Sequence, residues 1–323
     1  MSKIPRVALL IESSRGYGRG LLRGIAGYIG RYGPWSIYHH ERALGDPVPA
    51  WMSRWQGDGI IARIANPHLA EMIANRGLPT VELRDLYPIP NVPVVESESR
   101  AVVRLAVDHL LERGFEHLAY CGLPGADYSE RRRKYFVDFV SEAGYEPLLY
   151  SGRAQRRTAN ISTIEATGLL DEDAVAKWLK SLPKPVGLLA ANDVRAQQVI
   201  NACTEHGVAV PQDVAVIGVN NDELVCDMCH PKLTSVEPDT KKIGYEAARL
   251  LDRLMKGRKP LQQRILIQPT GVVSRESTNV MAMADRDVAA ALQYIREHAC
   301  DGISVHNVLE HISLSLSTLH RRF

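Results

Sequence analysis

Short aliphatic and β-branched runs recur along residues 1–277, and many of them are followed by a stretch whose apolar positions fall three or four apart. Period and composition predict strands at Val7–Ile11, Ser36–His39, Gly59–Ile61, Thr80–Leu83, Val92–Val95, His117–Cys121, Leu148–Tyr150, Val186–Ala190, Val214–Val219 and Ile265–Ile267. Helical periods lie between them, for example over Leu21–Ile29, Ser99–Arg113 and Val194–His206. Strands that are apolar on both faces and separated by helices suit a parallel sheet buried on both sides by its crossovers, so the class is α/β and doubly wound. Residues 1–277 hold more such units than one open sheet usually takes, which predicts two lobes of about five or six strands each. Ligands bind such folds at the carboxyl ends of the strands, so two facing lobes would share a cleft.

The pattern changes after Arg275, where strand signals stop and Ser277–Asp285 reads as a connector. Three short helices are predicted beyond it. Asp287 can cap the first, with Val288, Leu292, Ile295 and Ala299 on one face. Ser304 can cap the second, with Val305, Val308, Leu309 and Ile312 inward, and Ser315 opens the third, with Leu316, Leu319 and Phe323 inward. Two short helices joined by so tight a turn form a helix-turn-helix pattern.

At 323 residues the chain is long enough for two or three domains, and 45% hydrophobic with 24% charged residues is the composition of a packed globular protein. The net charge of +2 argues against binding nucleic acid through bulk positive charge, so any basic contact must be local. The apolar run Val7–Ile11 is too short for a signal-peptide core or a membrane span, which predicts a cytoplasmic protein without membrane contact. Five scattered cysteines imply no disulfide framework.

Arg15-Gly16-Tyr17-Gly18-Arg19-Gly20 follows a strand and precedes a helix, the place of a dinucleotide fingerprint, but Leu21 stands where the third glycine or alanine belongs. A loop that turns its backbone and Tyr17 or Arg19 to a ligand suits the stretch better. Cys226-Asp-Met-Cys229-His230 has the spacing of haem attachment, yet no export signal or second Cys/His pair accompanies it, so an ordinary surface loop with oxidisable thiols is expected and neither cofactor nor metal. Nucleophile-elbow, zincin and P-loop motifs are missing, and nothing positive points to an enzyme.

The run Arg131-Arg132-Arg133-Lys134 is read either as a solvated face or as a source of forked hydrogen bonds to ligand hydroxyls. Asn192-Asp193 directly follows one predicted strand and Asn220-Asn221-Asp222 another. Either could merely cap or turn the chain, but both sit where ligands bind. On the last helix, the face opposite the seam holds Ser317, Thr318 and Arg321 at about 100° per residue. With His320 and Arg322 beside them and no acid near, that face suits a DNA groove, Arg321 toward a guanine edge and Arg322 toward a phosphate; a plain helical dimerisation module is the blander reading.

Gly187-Leu-Leu-Ala-Ala-Asn-Asp193, Val214-Ala-Val-Ile-Gly-Val-Asn-Asn221 and Leu233-Thr-Ser-Val-Glu-Pro-Asp239 resemble recurring segments of the core shared by periplasmic sugar-binding proteins and LacI/GalR-type repressors. Ala291-Leu-Gln-Tyr-Ile-Arg-Glu-His298 and Ser315-Leu-Ser-Thr-Leu-His-Arg-Arg-Phe323 resemble the first half of an AraC-type DNA-binding domain. The order, sensor first and AraC-type domain last, is similar to the xylose operon regulators.

The resemblance implies a sensor over residues 1–277, a linker over 278–286 and a partial AraC-type domain over 287–323, with chain crossings between lobes near 114–117, 237–240 and 257–262. It implies a sugar-responsive transcription regulator, with Arg133 (or Arg132, one register away), Asn192, Asp193 and Asn220 on a monosaccharide, D-xylose foremost, and Tyr17 and Arg19 facing it from the other lobe. A solute-binding protein and a sugar-modifying enzyme are the alternatives; the first has no use for residues 287–323 and the second lacks a recognisable cofactor site. Double-stranded operator DNA and a second copy of the chain are the implied partners, because one helix-turn-helix reads only a few base pairs. AraC-type domains normally carry two such units, and Ser313 replaces the glycine usual in the first turn, so binding through this unit alone should be weak and strongly salt-dependent.

Overall fold

A computed structural model describes residues 4–152, 161–167, 171–280, 286–312 and 314–322. Among these, two six-stranded sheets form. The first runs β11-β5-β4-β3-β1-β2, from β1 (Arg6–Leu10), β2 (Ser36–Tyr38), β3 (Gly59–Ala62), β4 (Thr80–Glu82), β5 (Val94–Ser97) and β11 (Arg264–Ile267), all parallel. The second runs β12-β10-β9-β8-β6-β7, from β6 (His117–Cys121), β7 (Pro147–Leu149), β8 (Val186–Ala190), β9 (Val214–Val219), β10 (Thr234–Glu237) and β12 (Gly271–Val273), with β12 antiparallel to β10. Every residue of β3, β5, β8 and β9 is buried, as helices on both faces require.

Two strands lie outside the pattern-based set. Thr234–Glu237 has a single apolar residue, Val236, and Gly271–Val273 is only three long, so pairing rather than composition makes them strands.

In the first lobe α1 (Gly16–Tyr32) and α9 (Thr240–Met255) cover one face, packing Leu21, Ile25, Ile243, Ala247 and Leu251 on Val7, Leu9, Ile61 and Val81. The opposite face holds α2 (Pro67–Arg76) with Met52 and Trp55. In the second, α3 (Ser99–Leu111) and α4 (Asp127–Glu142) cover one face, and α6 (Glu172–Ser181), α7 (Asp193–Glu205) and α8 (Glu223–Met228) the other. The glycine-rich stretch is not a loop but the opening of α1 itself. Its glycines let two helices touch: a methyl at Gly20 would lie 2.0 Å from the Thr240 hydroxyl, one at Gly24 1.9 Å from the Lys241 carbonyl oxygen, and one at Gly244 of α9 2.0 Å from that of Leu21.

Three passages join the lobes: from β5 to α3 at Glu98–Ser99, from β10 to α9 at 238–240, and from β11 to β12 at 268–270. The first and third correct the expected 114–117 and 257–262. Helix α3 packs on the second sheet through Val102, Val103, Ala106 and Val107, so the chain has already crossed before it, and β11 returns to pair with β5 before crossing again. The two-lobed core also runs past residue 277. Ser277 and Thr278 are fully buried, the Ser277 hydroxyl donating to the Val216 carbonyl at 2.6 Å and the Thr278 hydroxyl lying 2.9 Å from His109 Nε2, so the chain is still anchored where a linker was expected from residue 278. Of that linker, residues 281–285 lie outside the described residues.

Three helices follow, α10 (Arg286–His298), α11 (Val305–Ile312) and α12 (Leu316–Arg322). They meet through Ala291, Val308, Ile312 and Leu319, with Tyr294 and Leu309 beside them. Ser304 caps α11 through the Asn307 N–H at 3.4 Å, and Ser315 caps α12 through the Thr318 N–H at 3.3 Å. The inward faces are narrower than expected: Ile295, Ala299, Val305 and Leu316 are exposed, because each helix meets its neighbours along one line only. Ser313, Phe323 and the side chain of Arg322 lie outside the described residues. Among the described residues no helix is long and apolar enough to cross a membrane.

Candidate functional site: a polar cavity between the lobes

The carboxyl ends of β1, β3, β4 and β5 in one lobe face those of β6, β8 and β9 in the other across a cavity of about 350 Å³. The first lobe contributes Glu12, Tyr17, Arg63, Arg84, Glu96 and Ser97; the second contributes Asp127, Tyr128, Arg131, Arg132, Asn192, Asp193, Asn220 and Asp222. Glu165, on α5 (Ile161–Thr167) between β7 and α6, also lines it.

Charges of both signs meet here. Arg63 pairs with Glu12 and lies over the Tyr17 ring, 4.7 Å from its centroid. Between lobes, Arg84 pairs with Asp127, Arg131 Nη1 donates to Glu96 Oε2 at 3.0 Å, and Arg15 Nη2 donates to Glu165 Oε2 at 2.8 Å. Several cavity-lining side chains keep polar atoms without a partner among the described residues: Glu12 Oε2, Arg63 Nε, Arg84 Nε and Nη1, Ser97 Oγ and Arg132 Nε. A buried arginine or carboxylate left this way is unfavourable by about 1–3 kcal/mol per group or more, so the arrangement favours a ligand rich in hydroxyls that give and accept together.

Asp193 forms part of the second lobe's wall. It is almost fully buried at the start of α7, and its carboxylate accepts from the Ser235 hydroxyl at 2.6 Å and from the Asp222 N–H at 2.8 Å. Burial outweighs both bonds and pushes its pKa up to about 6. Burial likewise lowers the pKa of Arg132 and raises that of Tyr17. The turn after β9 is built from residues in the left-handed region, Asn220 at φ 115° and Asn221 at φ 47°, which amide side chains tolerate better than most.

Tyr17, Asn192, Asp193 and Asn220 thus stand together in the cleft. Asn192 has both ends engaged: its oxygen caps α7 through the Arg195 N–H at 2.9 Å, and its nitrogen donates to Tyr128 at 3.0 Å and Glu165 at 2.9 Å. Two expected residues lie elsewhere. Arg133 is half exposed and held by Glu130 at 3.2 Å, because α4 opens at Asp127 and one residue along a helix turns the side chain by about 100°; Arg132 takes the inward place and donates to the Ala191 carbonyl. Arg19 is absent from the cavity wall: its guanidinium sits beside the cavity, donating to the Ser13 carbonyl at 3.0 Å and standing 3.6 Å from Asp222 Oδ1. The expected surface thiols are also corrected: Cys226 and Cys229 are buried in the second lobe's core, and burial pushes Cys229 to about 11 and Cys226 higher still. Glu12, Arg63, Arg84 and Ser97 escaped the sequence reading although each sits at or just beyond a strand's carboxyl end, the one signal that would have found them.

On the helical unit, Ser317, His320 and Arg321 are exposed on α12 and Thr318 is half-buried, its hydroxyl 2.8 Å from that of Ser315.

Residues 6–96 match the XylR N-terminal domain and residues 107–278 the periplasmic binding protein-like domain. The xylose operon regulatory protein of Haemophilus influenzae is 32% identical over 98% of this chain and 82% of its own length. That of Escherichia coli K12 is 31% identical over 100% of this chain and 82% of its own. The chain belongs to the xylose operon regulator family. The solved structure of the xylose-binding transcription activator xylR, at 30% identity and a TM-score of 0.75, covers 100% of this chain and 82% of that one. Family members are transcription regulators, and the two-lobed α/β core is shared with them.

Proposed function

We propose that this chain is a sugar-responsive transcription regulator that binds a monosaccharide, D-xylose foremost, between its lobes and operator DNA through the C-terminal helices. The observation that carries the sugar assignment is the pairing of a small cavity with buried, incompletely satisfied arginine and carboxylate groups from both lobes. At about 350 Å³ it lies at the low end of ligand pockets, which suits a single sugar ring. Arg84 and Arg132 supply donors, Glu12 and Asp193 acceptors, Asn220 a side-chain amide, and the Tyr17 and Tyr128 rings an apolar wall. The relatives' names point to xylose.

A sugar that contacts both walls favours the closed arrangement by its differential affinity for closed over open, and DNA affinity shifts by no more than that difference. Ser317, Thr318, Arg321 and Arg322 are the residues assigned to DNA contact, and a homodimer would pair two such units on two half-sites. The cleft is a sensor rather than a catalytic centre, in keeping with relatives that are regulators.

Titration calorimetry against a panel of pentoses and hexoses tests the reading. D-xylose should bind with a Kd in the roughly micromolar to millimolar range, and change the affinity for operator DNA in a gel-shift assay. Silence across the panel from a folded protein would remove the sugar assignment.

A further inference from the structure

Helix α1 begins without a cap of its own. Its N-cap residue, Arg15, makes no side-chain capping bond, and its first turn carries no acid. The start of a helix leaves N–H groups unpaired and a partial positive charge, which a nearby Asp or Ser normally meets. Here the carboxylate comes from the opposite lobe: Asp222 Oδ2 accepts the Gly16 N–H at 2.7 Å, and Arg19 Nη2 stands 3.6 Å from Oδ1.

Gly16 makes the approach possible. A methyl group there would lie 2.8 Å from Asp222 Cγ and 3.0 Å from Oδ2, too close for the carboxylate to stay. On its other side Asp222 donates its N–H to the Asp193 carboxylate at 2.8 Å, and Asp193 is held by Ser235 in the core of the second lobe. One residue therefore joins the cavity's buried acid to the N-terminus of the helix that carries Tyr17.

We propose that Asp222 is a positioning residue that couples occupancy of the cleft to lobe closure by capping α1 across the boundary between lobes. The proposal rests on the reading of the cleft as a sugar site, but the cap itself is open to test without a sugar. When the lobes part, the Gly16 N–H and the Asp222 carboxylate return to water; when they close, the capped helix start favours the closed form. A group that moves Asp193 also moves the backbone of Asp222.

The test measures inter-lobe distance in the full chain by pulsed electron spin resonance, with spin labels at the exposed positions Ala74 on α2 and Lys180 on α6 in a Cys300→Ser background. In sugar-free protein, Asp222→Ala and Gly16→Ala should each deplete the short-distance population, and Asp222→Ser, which keeps a short capping oxygen, should restore part of it. Sugar affinity should fall about 5- to 30-fold in the Ala variants, the range of a lost cap. Gly16→Ala is the discriminating variant, because Gly16 does not line the cavity and alanine favours a helix; its melting temperature should hold or rise while closure and affinity fall. Unchanged distances in both Ala variants would overturn the proposal, as would an affinity loss confined to Asp222→Ala, which would make Asp222 a direct sugar contact only. If Asp222→Ala does not fold, Gly16→Ala decides alone. If the wild type binds no sugar, the sugar reading fails and the distances still decide the cap.

Discussion

Replacing Asp193 by asparagine should change the pH dependence of stability in a calculable way. The carboxyl is buried, and its pKa stands at about 6 instead of the ordinary 3.8. Because the folded value is the higher one, the folded state holds the proton more tightly, and stability from protonated Asp193 is fully present below 3.8 and lost as pH rises through about 6. A rise of about two pH units corresponds to roughly 3 kcal/mol, of which about half falls between about pH 5 and about pH 7.5. Asparagine resembles the neutral acid: its oxygen can keep the Asp222 N–H, and the Ser235 hydroxyl can turn to accept from its nitrogen. Urea unfolding of sugar-free wild type and Asp193→Asn across that window should therefore show the stability difference shifting by roughly 1 kcal/mol in the variant's favour as pH rises. Most other titrations cancel in the difference. A pH-independent difference would refute the raised pKa, and a shift of the opposite sign would mean that Arg132 and the hydrogen bonds outweigh burial.

The register of α4 predicts that Arg132→Ala costs sugar affinity at least the roughly 1.5–3 kcal/mol of a charged hydrogen bond, whereas Arg133→Ala, an exposed residue paired with Glu130, stays within about 0.5 kcal/mol in both binding and stability. Calorimetry on both variants checks this, and equal losses would contradict the orientation. Gly24→Ala should lower unfolding stability by about 1–3 kcal/mol despite alanine's better helix propensity, because its methyl meets the Lys241 backbone; a denaturation midpoint at or above wild type would show that α1 and α9 can separate freely. Arg321, exposed and four residues from Ser317 on α12, should on change to Ala lose about 1–3 kcal/mol of discrimination at one base position, while Arg322→Ala weakens all sequences alike and flattens the salt slope. Gel shifts on operator and mismatched DNA at two salt concentrations separate the two, and identical behaviour would remove the assigned orientation.

The chain's own pattern determined the architecture. Runs such as Val186–Ala190 and Val214–Val219 must be buried on both faces, which demands parallel strands between helices, and the polar residues directly after them, Asn192, Asp193 and Asn220, were thereby placed at the sheet edge that lines the cavity. The end of the strands' pattern also marked the change to helices near residue 277, although the buried Ser277 and Thr278 carry the two-lobed core slightly further. What the sequence left open was settled by contacts between residues far apart. Strand β12 exists because β10 offers it an edge, and α3 belongs to the second lobe because that sheet had a face for its valines. The glycines before Leu21 read locally as a loop, yet only tertiary contacts show why side chains are missing there: Gly16 faces Asp222 of the other lobe, Gly18 the Glu12 backbone and Gly20 Thr240 of α9. Which arginines of the run 131–133 face the cavity, here Arg131 and Arg132 but not Arg133, depends on where α4 starts, and a one-residue uncertainty is about 100° of rotation. The cap of α1 was invisible for the same reason: its acceptor, Asp222, is 206 residues away along the chain and arrives only when the two lobes meet.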